Sequence, residues 1–416
     1  METCSLGQLA ELHGRVGWKG YTTEDLVDEG PLVLGANEIT EDNQLDFSEV
    51  KHLTREKYEE SPEIFIEKDD ILVVKVGSTI GKVAIINKDI GEASINPNCV
   101  IVRAKGIDPY YLYYYMCSPW GRAFLVNNSS ASGQPALNQE TLRKMQIPIV
   151  EDKTQKKIAS VLNIINSKIE NNNRIASTCR KYIEELYKYW FVQFDFPDAS
   201  NMPYKSSGGK MIWNSEIKRE IPENWKVMNL FECVDLLYGF PFSTEAFCED
   251  DDSYKVMRIR DIQECTFSAY TKEKTDDKYL LQHGDLVIGM DGYFYMQEWY
   301  GDAVYMNQRC LRIRAKEEYN ICNTYVKYQM QPYLEALEKG VARSTVGHLS
   351  DSDLKKLWII IPDKALMEQF SALSKTIIER KKENVYLGEL REYLLPLLIT
   401  GQISYEELKY DVKMTS

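Results

Sequence analysis

Apolar and polar positions along this chain follow two different periods, and each period occurs twice. A stripe at Ile158, Leu162, Ile165, Ile169, Asn172, Ala176, Cys179, Ile183, Leu186 and Trp190 advances by alternating steps of four and three. That is the a/d seam of a heptad helix with one polar member. A looser stripe recurs at Phe370, Leu373, Ile377, Asn384, Leu387 and Leu394. Upstream of each stripe the pattern is that of strands: 71–76, 83–86 and 99–103 in the first half, 285–290, 303–305 and 310–314 in the second. A short tyrosine-rich helix is predicted over 110–116 and answered over 323–330. Such a run can stack bases, but at helical spacing it fits core packing better. Pro148 bounds the first long helix upstream and Pro197 lies beyond it, while Pro396 is expected to close the second.

The two halves match landmark by landmark. Asp70-Ile71-Leu72 answers Asp285-Leu286-Val287, and Cys99-Val100-Ile101-Val102-Arg103-Ala104 answers Cys310-Leu311-Arg312-Ile313-Arg314-Ala315. Ile147-Pro148 answers Ile361-Pro362, and Gln155 answers Gln369. The offset stays between 211 and 215 residues, the mark of a tandem duplication whose unit is a whole domain with a connector.

A helix of about 35 residues spans roughly 50 Å and is too apolar on one face to stand alone. Its duplicate is the obvious partner. If a pseudo-two-fold axis relates the copies, the helices pack antiparallel with a globular domain at each end, and the pair acts as a ruler. The predicted fold is therefore α+β: two pseudo-symmetric β-rich domains separated by two long antiparallel coiled-coil helices. The expected layout is a first domain over 1–150, a helix over 151–196, a connector and second domain over 197–362, and a second helix with tail over 363–416. The packing set is Ile158, Leu162, Ile165, Ile169, Asn172, Ile183 and Leu186 against Phe370, Leu373, Ile377, Asn384, Leu387 and Leu394. Asn172 and Asn384 occupy matching places, either fixing register inside the seam or lying at its exposed edge. Pro203, Ser206-Ser207-Gly208-Gly209 and Pro222 point to a loose connector over 197–224.

Composition narrows the classes. The 416 residues allow two or three domains, and 44% apolar content is ordinary for a globular protein. No apolar run of about eighteen residues predicts a membrane span, and the N-terminus lacks the features of an export signal. Nine scattered cysteines with no Cys-x-x-Cys pair fit a reducing cytoplasm rather than zinc or disulfides. The net charge of −13 has the wrong sign for binding phosphates. Segregation of charge by face, or basic surface on partner subunits, would resolve that conflict.

Catalytic motifs are missing. Asn96-Pro97-Asn98 lacks the second proline and aromatic of an amino-methyltransferase loop, and there is no Gly-x-x-x-x-Gly-Lys-Ser/Thr loop. Four isolated histidines offer no metal pair. Pro197-Asp198 with Glu216-Ile217-Lys218, and Pro362-Asp363 with Glu379-Arg380-Lys381, mimic a Mg-dependent nuclease signature. In the second case about sixteen helical residues separate the carboxylates by about 24 Å, too far to share an ion. No catalytic residue and no metal site are assigned.

The chain resembles the specificity subunit of type I restriction–modification systems, over essentially its whole length. The resemblance rests on domain, helix, domain, helix in order, and on short motifs. These are Leu230-Phe231-Glu232-Cys233-Val234-Asp235-Leu236-Leu237-Tyr238-Gly239 with a weaker counterpart at Leu6-Gly7-Gln8-Leu9-Ala10-Glu11-Leu12, and the loop Ser132-Gly133-Gln134-Pro135-Ala136-Leu137-Asn138. The others are the helix start Gln155-Lys156-Lys157-Ile158-Ala159 and the terminal Leu394-Leu395-Pro396-Leu397-Leu398-Ile399-Thr400-Gly401-Gln402-Ile403. The resemblance implies a non-catalytic subunit that reads a bipartite site on double-stranded DNA, one half-site per domain. It implies assembly with two methyltransferase subunits and with restriction subunits, on which S-adenosylmethionine, ATP and Mg would reside, in the cytoplasm and away from any membrane. Two major-groove readers on one face of B-DNA sit about 34 Å apart, a separation a rigid helix pair can set. The alternatives are an assembly scaffold or anti-restriction decoy, for which acidity would be natural, and a Mg-dependent nuclease.

Base readout uses Arg, Lys, Asn and Gln, while hydroxyls and lysines position phosphates. The candidate DNA-binding residues lie in loops at matching places: Ser78, Thr79, Lys82, Asn127, Asn128, Ser132 and Gln134 in the first copy, Tyr293, Tyr295, Gln297, Arg343, Ser344 and Thr345 in the second. Arg103 and Arg314, ending matched strands, read as structural.

Overall fold

A computed structural model describes residues 2–15, 20–40, 43–129, 136–249, 253–340 and 347–403. It divides into two units, one of residues 1–167 with 389–416, the other of residues 168–388.

Unit 1 is built on a four-stranded antiparallel sheet of β1 (Ala10–His13), β2 (Ile71–Val74), β3 (Val83–Ile85) and β4 (Cys99–Ala104), in the order β1-β4-β2-β3. Val73 and Val74 pair with Val100 and Cys99, and all of β2 is buried, as expected for a central strand. A second sheet pairs Leu26–Leu34 with Lys51–Leu53 and, in parallel, with Ala93–Ile95. α1 (Pro109–Cys117) and α2 (Pro119–Asn127) follow, broken where Ser118 caps α2 ahead of Pro119. Four of the five tyrosines of α1 are core, not a base-stacking surface. Tyr111, Tyr113, Tyr114 and Tyr115 are buried, and their hydroxyls donate to the carbonyls of Pro148, Asn43 and Gln146 and to Asn163 Oδ1 at 2.7–3.0 Å. Burial pushes the Tyr111 phenol up to about 12.

α3 (Asp152–Leu186) is the first long helix. Of its seam, Ile158, Leu162, Ile165, Asn172 and Ile183 are buried, with Ile169 and Leu186 half-buried.

Unit 2 repeats the frame. Its sheet contains β5 (Val234–Tyr238), β6 (Leu286–Gly289), β7 (Met296–Glu298) and β8 (Cys310–Ala315), in the order β5-β8-β6-β7. α4 (Asn323–Gly340) passes through Pro332, longer than the predicted 323–330, because no serine cap interrupts it as Ser118 does in unit 1. The segment 197–224 is not a loose connector. Met211–Asn214 and Arg219–Pro222 form a hairpin, and Phe196 stacks between Tyr204 and Trp225.

α5 (Lys364–Ile399) continues past Pro396. Gly401, at φ 70°, ends it: its N–H reaches Leu398 O and that of Gln402 reaches Leu397 O, the paired bonds of a glycine stop signal. Phe370, Ile377 and Leu394 are buried, and Leu373, Asn384 and Leu387 half-buried. Within unit 2, Asn384 Nδ2 donates to Ile169 O at 3.4 Å, Asn172 Nδ2 to Asn384 Oδ1 at 2.9 Å, and Lys381 Nζ to Asn173 Oδ1 at 3.5 Å. Residue numbers rise on one helix as they fall on the other, so these segments run antiparallel. Asn172 also donates to Glu383 Oε2 at 2.9 Å, which resolves its role: it is buried and bonded across the helix pair.

The structure also shifts two sequence matches by two residues. Tyr111 donates to Pro148 O and its counterpart Tyr325 to Ile360 O; Leu6 N–H bonds Met145 O and Leu230 N–H bonds Leu357 O. Pro148 therefore corresponds to Ile360, not Pro362. Likewise Gln155, buried and accepting from Asp108 N–H at 2.9 Å, corresponds to the buried Met367, while Gln369 is exposed. From Ala136 and His348 onward the offset holds at 212, through the caps Asn138 and Ser350 to Asn172 and Asn384.

The strongest repeated interaction lies under each hairpin. Arg103 grips Asp70 with two bonds of 2.8 Å, and Arg314 grips Asp285 with bonds of 2.5 and 2.9 Å. Each carboxylate also accepts a backbone N–H at 2.7 Å, from Glu67 and Gln282. Asp70 is 1% exposed and Asp285 3%.

Removing one partner of such a pair strands the other charge. Asp70→Ala and Asp285→Ala are each expected to cost about 3 kcal/mol, measured as a fall in urea midpoint. Asn172→Ala leaves partners unmatched and is expected to cost about 1–3 kcal/mol. Burial pushes the Glu383 carboxyl up, but bonds from Asn172 and Lys168 and the Arg380 charge hold it below its ordinary 4.5. A carboxyl that titrates lower when folded stabilises fully above its unfolded value and ceases to as pH falls through the folded one. Melting temperature should therefore drop below about pH 4.5, and drop less in Asn172→Ala.

Candidate nucleic-acid interface

In each unit three elements converge at one edge of the main sheet: the β2–β3 or β6–β7 hairpin tip, the strand-like end of the following long loop, and a tight turn before β4 or β8.

In unit 1 the tip is closed by Gly81 N–H to Val74 O and Ile80 N–H to Gly77 O. Gly77 and Gly81 take φ of 104° and 89°, which side-chain-bearing residues avoid. A Cβ on Gly81 would meet Val126 at 3.2 Å, so the tip rests on the end of α2. Ser78 is exposed at the tip and Thr79 half-exposed. Lys82 donates to Ile39 O at 3.2 Å, turning toward the protein. Asn127 and Asn128 are exposed at the end of α2, where Asn128 Nδ2 caps Phe124 O at 2.9 Å. Val76 bridges Ala136, and Leu137 N–H donates to Lys75 O at 2.8 Å, which ties the loop end to the hairpin. Ser132 and Gln134 lie outside the described residues.

Unit 2 builds the same arrangement with other side chains. Asp291 bridges His348, Leu349 N–H donates to Met290 O at 2.8 Å, and Gly292 N–H to Gly347 O at 2.9 Å. Tyr293 is 68% exposed, with its ring 5.8 Å from that of the half-buried Tyr295. Phe294 is buried, its N–H donating to Glu338 Oε1 at 2.6 Å from the end of α4. Arg343, Ser344 and Thr345 lie outside the described residues.

Gln297 does not join this group. It accepts from Lys327 of α4 at 3.3 Å and lines a cavity of about 280 Å³ with Arg180, Glu298, Tyr300 and Lys327. Burial there pushes the Glu298 carboxyl up and the Lys327 amine down.

The third element was not chosen from the sequence. Asn96 O accepts from Cys99 N–H at 2.9 Å, and Asn307 O from Cys310 N–H at 2.9 Å, forming matched turns. Asn98 O accepts from Lys75 N–H at 2.8 Å and Arg309 O from Met290 N–H at 3.0 Å, so each turn is clamped to its hairpin. The available signal was the repeated Asn-x-x-Cys ahead of matched strands. Arg309 pairs with Asp291 Oδ2 at 3.2 Å, whose Oδ1 lies 2.6 Å from His348 Nδ1.

Among the described residues these edges carry exposed amides, hydroxyls, an aromatic ring and an ion-paired guanidinium, groups suited to recognition. Among the described residues, no three His, Cys, Asp or Glu side chains are placed to hold a metal ion, and no helix is long and apolar enough to cross a membrane.

The chain was compared with known proteins. The profile of the type I restriction modification DNA specificity domain matches twice, over residues 3–178 and 222–386. The type I restriction enzyme MjaIX specificity subunit of Methanocaldococcus jannaschii is 24% identical over 320 residues, covering 74% of this chain and 72% of the relative. The MjaVIII specificity subunit of the same organism is 23% identical over 376 residues, covering 84% and 82%. A crystal structure of the type I restriction–modification S subunit from M. genitalium superposes with a TM-score of 0.57 at 14% identity over 95% of both chains, a likeness of fold.

Proposed function

The chain belongs to the type I restriction–modification DNA specificity family, a non-catalytic specificity subunit, and from that premise we propose that it reads a bipartite DNA site, one half-site per unit. The observation that carries this is the repeated edge: one backbone frame of hairpin tip, loop end and turn, occurring twice with different side chains. Two different half-sites need this combination, because the frame sets the approach to the groove and the side chains set the sequence.

On this reading residues 1–150 are the first recognition domain, 151–196 the first spacer helix, 197–362 a connector with the second recognition domain, and 363–416 the second spacer helix with the C-terminal tail. Ser78, Thr79, Asn127, Asn128, Ser132 and Gln134 serve one half-site; Tyr293, Tyr295, Arg343, Ser344 and Thr345 serve the other. Lys82 and Gln297 contribute from behind the edge, by holding a loop and a helix. The spacers dock two methyltransferase subunits, and restriction subunits join them in the cytoplasm. S-adenosylmethionine, ATP and Mg belong to those partners, as does much of the cationic surface that a chain of net charge −13 lacks.

Selection of a randomised duplex library by the complex with methyltransferase subunits is expected to return two short motifs at fixed spacing, with binding that weakens steeply as salt rises. Seven extra residues in each long helix, inserted beside Asn172 and Asn384, would lengthen each by about 10 Å. The selected spacing should then grow by about three base pairs. An unselected library would favour the scaffold reading.

A further inference from the structure

The turn clamped to each hairpin carries a second-level assignment, which rests on the half-site reading above. We propose that the residue before its cysteine reads a base in each half-site: Arg309 a guanine, and Asn98 an adenine.

The main chain of the turn is the same in both units. In each, the asparagine carbonyl accepts from the cysteine N–H, and the carbonyl of the residue before the cysteine accepts from the hairpin. The side chain at that position is free to differ because these bonds use only its backbone; in unit 1 its N–H also donates to Asn96 Oδ1 at 2.9 Å. It differs in chemistry while the asparagine and cysteine around it do not: Asn96-Pro97-Asn98-Cys99 against Asn307-Gln308-Arg309-Cys310. Two positions differ between the constant asparagine and cysteine, and the one before the cysteine is exposed in both units; sequence readout on a duplicated frame requires such a position.

Both side chains are exposed; that of Arg309 is 58% exposed. Arg309 Nη1 lies 3.2 Å from Asp291 Oδ2, and Asp291 is itself anchored through His348. A guanidinium steadied from one side keeps further N–H donors in a planar fork. That fork matches O6 and N7 of guanine in the major groove, and the ion pair, being exposed, is weak enough to yield. The Asn98 amide offers one donor and one acceptor, the complement of adenine N7 and N6. Tyr293, also exposed on the Arg309 edge, supplies an apolar face beside the contact.

The test uses the complex with methyltransferase subunits, wild type and carrying Arg309→Ala, Arg309→Gln or Asn98→Ala. Each is selected on a randomised duplex library, and affinity for the wild-type site is followed against salt. Both Arg309 variants should lose guanine preference at one position of one half-site by about tenfold to a hundredfold, with the other half-site unchanged. Asn98→Ala should lose adenine preference in the other half-site alone. Arg309→Gln keeps the test open if the alanine variant fails to assemble. An unchanged motif with uniformly weaker binding and a salt slope shallower by about one would mark Arg309 as a phosphate contact and overturn the assignment. So would loss of both preferences in the same half-site. A wild-type complex that selects a two-part motif lacking these bases overturns the assignment but spares the half-site reading; one that selects nothing removes both.

Discussion

A buried carboxylate under each hairpin constrains everything around it. Asp70 and Asp285 are almost wholly removed from water, a position a charge can hold only if paired and hydrogen-bonded. The guanidinium that pairs with each comes from the adjacent central strand, and a backbone N–H supplies the third bond. Sliding that strand by one residue would carry the arginine to the opposite face and leave the carboxylate alone. Register is therefore fixed, and with it the position of the hairpin tip against the turn that precedes the arginine strand. Position by position, the candidate edge depends on this pair.

The duplication and its elements were legible because they rest on periodicity and repeated apolar runs. The long stripes became long helices, Arg103 and Arg314 proved structural, and the tyrosines of 110–116 packed as core. The misread points share a physical origin. Proline was given too much weight at Pro396: α5 absorbs it, as α4 absorbs Pro332, since losing one backbone donor does not end a helix without a cap or a glycine to redirect the chain. Gly401, not Pro396, does so. Identical letters also misled. Ile-Pro and Gln recur two residues away from their structural counterparts, and the hydrogen bonds of Tyr111 and Tyr325, with those of Leu6 and Leu230, reveal the true alignment. The Asn-x-x-Cys turn escaped because nothing in the sequence shows which loops meet at an edge.

Among the described residues, charge at the candidate edges is sparse. Lys82 bends back to a carbonyl, burial lowers the Lys75 amine, and Arg309 is shared with Asp291. The exposed groups are mostly uncharged donors and acceptors. Under the proposed function, discrimination and raw affinity then sit on different subunits: this chain chooses among sequences, and its partners hold the phosphates.

The offset of 212 residues that persists from Ala136 and His348 to Asn172 and Asn384 has an evolutionary consequence. Recombination between the two gene segments, or with those of another such protein, can cross over anywhere in that stretch without an insertion or deletion. Strand, joint and rod all stay in phase. Under the proposed function the halves become exchangeable cassettes, and a lineage could acquire a new target while keeping its long helices unchanged.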